Sequence, residues 1–193
     1  MKKIFLILVL LIFSTNYSKT ENQINIITEG NIDAKVKLVV YESLTCSHCA
    51  NFHQNIYPKL KEDFLDKGLI NIEFRNFPLD LASFNASKLA HCKNDGKSEI
   101  LHFLFKKQKE WVRGETIDDL NKNLKKLINK QNFGIDFDKC INDKVLEDHI
   151  LNDRINAVKK YDIEATPTLI INDKKFDNTQ NYKKLKKKIE KLI

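Results

Sequence analysis

Apolar residues change their spacing several times along this chain, and each change marks an element. Segments 24–28 and 38–41 are short, apolar and β-branched, which predicts two strands. Beyond residue 46 the period becomes four. Phe52, Ile56, Leu60 and Phe64 predict one buried helix stripe, and Gly68 punctuates its end. Segment 69–77 alternates, with Ile70, Ile72 and Phe74 on one face and Asn71, Glu73 and Arg75 on the other. This predicts a third strand, which Pro78 stops. From residue 81 to residue 161 only helical spacing recurs, predicting helices over 83–94, 98–112, 117–131 and 145–161. Phe103, Leu104 and Trp111 read as core on the second of these. Segment 166–171 is a strand introduced by Pro167, Asn172-Asp173 a hairpin turn, 174–176 the return strand and 179–193 a final helix. The order β-β-α-β, helical block, β-β-α predicts an α/β domain with a parallel sheet and a helical insertion. Its sheet-bearing core spans 24–80 and 162–193, and its insertion 81–161.

The first residues bear on the compartment. Lys2 and Lys3 precede an unbroken apolar run over 4–13, and Ser14, Thr15, Asn16, Tyr17 and Ser18 follow. A short basic stretch, a run of about 7–15 apolar residues and a small polar exit describe a secretory signal peptide. A spanning helix needs roughly 20 apolar residues, so this run is too short to be an ordinary one. The reading is a signal peptide over 1–18 with a periplasmic destination; an uncleaved N-terminal anchor is the alternative, and either exports the rest. In an oxidising compartment Cys46, Cys49, Cys92 and Cys140 can form disulfides that persist.

Composition adds little beyond exclusion. The 193 residues are 42% apolar and 31% charged, with 5 Gly and 3 Pro, which excludes disordered, collagenous and many-spanning membrane classes. The net charge of +7 comes from lysines spread along the whole chain and points to no particular partner. Lys183, Lys184, Lys186–Lys188 and Lys191 lie opposite Tyr182, Leu185, Ile189 and Leu192 at helical spacing, the solvated side of an amphipathic helix. An exported protein meets little nucleic acid, and no nucleic-acid partner is expected.

Chemistry concentrates at Cys46-Ser47-His48-Cys49, where strand gives way to helix. A helix N-terminus presents unpaired N–H groups and about half a positive charge, which stabilises a thiolate there. Cys46 as the first helical residue would be exposed, and Cys49, one turn in, buried beneath it. That asymmetry supplies an attacking and a resolving sulfur. His48 adds a positive charge and an N–H donor between them. A zinc or copper site using Cys46, His48 and Cys49 is the competing reading, with His53, His91 and Cys92 as further ligands. Against it, the second ligand pair usual in zinc fingers is missing. His91, His102 and His149 stand singly on their predicted helices and read as ordinary core or surface histidines.

Segment 41–53, Tyr-Glu-Ser-Leu-Thr-Cys-Ser-His-Cys-Ala-Asn-Phe-His, resembles the active-site segment of the DsbA-like thiol:disulfide oxidoreductases, most closely in their alphaproteobacterial form. Segments 74–80 and 165–168 resemble that family's strand-to-insert junction and its cis-proline loop. The resemblance implies a thioredoxin fold with an all-helical insertion. It implies Cys46 as nucleophile, Cys49 as resolving cysteine, and Pro167 as a cis-proline opposite Cys46 that leaves the backbone of Thr166 open to an extended substrate. It further implies reduced exported proteins as substrates, a quinone-linked DsbB-type membrane partner, a monomer and no cofactor. Two positions depart from the pattern. Ser47 stands where strongly oxidising members carry proline, and Val40 where many relatives bury an acid, Glu42 being two residues further on. Thr166 also occurs in reducing and isomerising relatives, so a reductase or isomerase is the alternative enzyme and a copper or zinc carrier the alternative class. Pairing Cys46 with Cys49 leaves Cys92 and Cys140, either a structural disulfide such as some relatives carry or two separate buried thiols.

Overall fold

The computed structural model describes residues 23–177 and 179–193, so the predicted signal segment lies outside the described residues. Five strands form one sheet: β1 (Ile27–Gly30), β2 (Val36–Glu42), β3 (Ile70–Asn76), β4 (Thr168–Ile171) and β5 (Lys174–Phe176), in the order β1-β3-β2-β4-β5. Only β2 and β3 run parallel, with Val36 opposite Ile70 and Glu42 opposite Asn76. The β1–β3, β2–β4 and β4–β5 pairs are antiparallel, so the sheet is mixed rather than parallel as predicted. The helix after β2 forces a crossover, while the turn at Asn172 (φ +45°) and Asp173 (φ +61°) returns β5 beside β4 as a two-residue hairpin.

Each sheet face receives a helical layer. Val36, Leu38, Val40, Ile70, Ile72 and Phe74 are almost wholly buried against the helix that follows β2. That helix, α1, runs over 47–65, and Phe52, Ile56, Leu60 and Phe64 are its buried stripe, as their spacing predicts. It is not uniform. Phe52–Ile56 and Lys61–Leu65 are π-helical, and the amide of Tyr57 reaches back five residues to the carbonyl of Phe52. Pro58 has no N–H to give the preceding turn, which accounts for the widened turn before it.

The insertion comprises α2 (Leu81–His91), α3 (Glu99–Lys106), α4 (Gln108–Trp111), α5 (Ile117–Gln131), α6 (Phe137–Asn142) and α7 (Lys144–Tyr161). Buried residues of α2–α6 extend the core over α1, whereas Ala157 of α7 packs on the opposite sheet face with Tyr41, Phe77, Ile163 and Ile170. The final helix, α8 (Tyr182–Glu190), adds Leu185 and Ile189 to the α1 side. α2 begins earlier than its spacing predicts, because the Asp80 carboxylate caps it by accepting from the Ser83 amide at 2.7 Å. The helix predicted over 98–112 breaks at Lys107. Within it Leu104, Phe105 and Trp111 are buried, while Phe103 is half-buried against Phe133. Gly30 is confined to its residue type: φ is +86°, and a Cβ there would lie 2.4 Å from the Ile70 carbonyl oxygen.

Candidate active site

The loop between β2 and α1 is fixed from the insertion. The Ser83 hydroxyl accepts from the Leu44 amide at 2.8 Å and from the Ser43 hydroxyl at 2.8 Å, and Thr45 donates to Asp80 at 2.7 Å. Gln108, buried on α4, donates from its amide nitrogen to the carbonyls of Leu44 (2.8 Å) and Cys46 (2.9 Å). The break at Lys107 lets α4 leave the line of α3 and brings this side chain to the loop. None of Ser83, Asp80 or Gln108 stands out in the sequence as a site residue, and only the Asp80–Ser83 spacing carries a recognisable cap signal.

Cys46 is the N-cap of α1, one position before the first helical residue, with extended backbone (φ −74°, ψ 122°). It is half-buried and free, and Cys49 is free and fully buried. The Thr166–Pro167 bond is cis, and the carbonyl of Thr166 accepts from the Cys46 thiol at 3.4 Å. The two sulfurs therefore differ sharply in acidity. A hydrogen bond from Cys49 lowers the Cys46 thiol to about 5, against the opposing effect of burial, with help from Thr166 and the amides of Cys49 and His48. Cys49 is raised, first by burial, then by its hydrogen bond to Cys46 and by the charge of Glu42. His48 is exposed, and it is its backbone N–H that acts on Cys46. Its carbonyl accepts from Gln180 at 3.3 Å.

Val40 is fully buried, and the acid beneath the site is Glu42, 4% exposed and 2.6 Å from His53 Nε2. Among the described residues no group of three or more His, Cys, Asp or Glu is placed to hold a metal ion. Cys92 and Cys140 form a disulfide with Cα atoms 5.5 Å apart, joining α6 to the end of α2. A cavity of about 720 Å³ lies on the other sheet face, lined by Tyr41, Arg75, Asp153 and Tyr161 among others. The chemistry of the cysteines is instead at an open edge. Leu79 and Leu81 are exposed on either side of Asp80, the residue that holds Thr45 next to Cys46.

A family model described as Thioredoxin matches residues 22–191. The disulfide bond formation protein D of Bacillus subtilis is 31% identical over 85% of this chain and 75% of its own length. A putative protein-disulfide oxidoreductase of Rickettsia bellii is 29% identical over 77% of the chain, which spans only 58% of that protein. The crystal structure of alpha-DsbA1 from Wolbachia pipientis superposes with a TM-score of 0.78 at 34% identity, covering 87% of this chain and 90% of that one.

Proposed function

We propose, from the premise that this chain belongs to the DsbA-like thiol:disulfide oxidoreductases of the thioredoxin family, that it introduces disulfide bonds into exported proteins through Cys46 and Cys49. The observation that carries this reading is the split in acidity between the two sulfurs, Cys46 lowered to about 5 and Cys49 raised. A stable Cys46 thiolate favours the reduced site, so the Cys46–Cys49 disulfide accepts electrons readily.

The reaction runs in two exchanges. A substrate thiolate attacks Cys46 Sγ in the oxidised site; the bond to Cys49 breaks and a substrate–Cys46 disulfide forms. Cys49 departs with the electron pair and takes up a proton. The substrate's second thiolate then attacks the first substrate sulfur, closing the new disulfide and expelling Cys46 as a thiolate. Its low pKa makes Cys46 the better leaving group at this step. Pro167 and the Thr166 backbone, beside Cys46, hold an extended substrate segment, and exposed Leu79 and Leu81 suit the apolar side chains of an unfolded one. The reduced pair passes its two electrons to a DsbB-type quinone-linked membrane partner. The basic and apolar N-terminal segment supports export to the periplasm, and the protein acts as a monomer.

The test is transfer to a reduced, unfolded protein containing two cysteines. The oxidised chain should convert it to the disulfide form one for one, Cys46→Ser should abolish transfer, and Cys49→Ala, given the disulfide form of the same protein, should trap a mixed disulfide on Cys46. No transfer by the native chain, or transfer that survives Cys46→Ser, overturns the reading.

A further inference from the structure

Three elements meet at a buried polar cluster that disulfide exchange does not use. Asn76 ends β3, His91 ends α2, and His149 and Asp153 lie one turn apart on α7. Asn76, His91 and Asp153 are buried, with 5%, 3% and 6% of their surface exposed. The Asn76 side-chain amide is shared: Nδ2 lies 2.9 Å from Asp153 Oδ2 and 2.9 Å from His91 Nε2. Asp153 Oδ2 also accepts from the Asn76 backbone amide at 3.1 Å, and Oδ1 accepts from Arg75 at 3.0 Å. The rings of His91 and His149 meet edge to face, their centroids 4.8 Å apart. His91 Nδ1 and His149 Nε2 are buried without a hydrogen-bond partner, and His149 Nε2 stands 3.9 Å from Asp153 Oδ2.

This arrangement fixes the protons. Nδ2 of an amide carries two N–H bonds and accepts nothing, so both of its neighbours must accept, and His91 Nε2 is the bare nitrogen of a neutral ring. A proton added at that nitrogen turns the 2.9 Å bond into two donors face to face. Turning the amide over is no remedy, because its oxygen would then face the Asp153 carboxylate at the distance Nδ2 now holds. No setting of the Asn76 side chain serves both Asp153 and a charged His91.

We propose that His91 is an acid-sensitive latch: uncharged, it locks Asn76 between α2 and α7, and on taking up a proton it releases Asn76 and with it the junction over 76–80. That junction leads to the site. The Phe77 amide donates to the Glu42 carbonyl at 2.8 Å, and Arg154 of α7 donates to the Pro78 carbonyl and lies over the Phe77 ring at 5.0 Å. Asp80 caps α2 and holds Thr45 next to Cys46. Its bearing on disulfide transfer rests on the reading of function above, whereas the latch itself does not.

The groups packed around His91 resist its charging. Burial lowers it most, to about 4, with His149 of α7 and Arg75 of β3 acting in the same direction. Asp153 and the backbone of Asn25 oppose them. His149 is lowered as well, by burial and Arg75 against Asp153. Arg75 is held on its other side by Glu73, and Lys88 of α2 pairs with Glu147 of α7 along the same seam. A solvated histidine titrates near 6.5, so the open form takes up the proton first. The latched form is therefore fully favoured above about 6.5 and loses that advantage as pH falls through about 4.

The test is hydrogen exchange of the oxidised full chain between pH 8 and pH 5, corrected for the intrinsic rate at each pH, in the native chain and in His91→Gln. A histidine at about 4 when latched and about 6.5 when open makes opening about 30-fold more favourable at pH 5 than at pH 8. The Asn76 and Phe77 amides of the native chain should lose protection by that factor. In His91→Gln most of this dependence should vanish, whatever the absolute protection, an outcome that a merely structural role does not give. Titration of native His91 by NMR needs no variant: the ring should titrate well below 6.5 and the Asn76 amide should move with the same midpoint. Protection that is flat with pH in the native chain, an equal dependence in His91→Gln, or a His91 that titrates near 6.5 without moving Asn76 overturns the latch. Neither measurement involves a substrate, so failure of the latch and failure of the functional reading are told apart.

Discussion

Replacing Cys49 by alanine removes the largest single cause of the low Cys46 pKa, the hydrogen bond from the buried thiol to the Cys46 sulfur. Hydrogen bonds to a charged group contribute about 1.5–3 kcal/mol, and 1.36 kcal/mol corresponds to one pKa unit, so their loss is worth about 1–2 units. Cys46 is half-buried and partly screened by solvent, which favours the lower figure. Cys46 in Cys49→Ala should therefore titrate about one unit above its native value, which lies at about 5. The assay is the rate of iodoacetamide alkylation against pH, checked by thiolate absorbance. At pH 6 the native sulfur is then about nine-tenths thiolate and the variant's about half. A pKa unchanged by the substitution would refute the assignment and leave the depression to Thr166 and the amides of Cys49 and His48. The same shift has a sign in stability. Between the lowered pKa of Cys46 in the folded chain and its ordinary thiol value, the unfolded reduced chain binds the extra proton. Stability of the reduced form should accordingly rise with pH from about 5 towards the ordinary thiol range near 8.5, and be lost as pH falls through 5.

Other consequences follow from single contacts. Gln108→Ala leaves the Leu44 and Cys46 carbonyls without their side-chain donor and should cost about 2 kcal/mol in urea denaturation, more than a surface substitution costs. Removing the Cys92–Cys140 disulfide, which spans a sequence separation of 48, should lower stability by up to about 4 kcal/mol without stopping disulfide transfer; an unchanged melting temperature would contradict its structural role. Asp80→Ala should lose about 1 kcal/mol through the α2 cap and release Thr45, read by denaturation and by faster hydrogen exchange at the Ser83 amide. Trp111→Ala, at a fully buried ring whose Nε1–H donates to the Leu104 carbonyl, should cost about 3–5 kcal/mol in the same assay.

What the sequence revealed was local. The period-four stripe of Phe52, Ile56, Leu60 and Phe64, the alternation of Ile70, Ile72 and Phe74, and the Asn172-Asp173 turn each state their geometry within a few residues. Cys46 and Cys49 were legible as a site for the same reason: three residues apart where strand gives way to helix, the first sits at the helix mouth and the second one turn in. Strand direction was not legible, since β1 and β4 run antiparallel to β3 and β2 by virtue of partners far along the chain. α6 escaped because, of its six residues, only Phe137 and Cys140 are buried, too few to show a period. The pairing of His53 with His102, whose Nδ1 atoms lie 2.9 Å apart, lies still further from any local pattern. His53 and His102 stand 49 residues apart and look unremarkable on their own helices, and only the packing of α3 against α1 makes them neighbours.

The central claim is that Cys46–Cys49 donates disulfides, and its reduction potential tests it most directly. The pair is equilibrated with glutathione buffers with Cys92 and Cys140 left intact, and the reduced fraction is read by alkylation and mass. A stabilised Cys46 thiolate predicts a potential above about −180 mV, the level of protein disulfide isomerase. A value near −270 mV, the level of thioredoxin, would show that the site runs towards reduction and contradict the direction proposed.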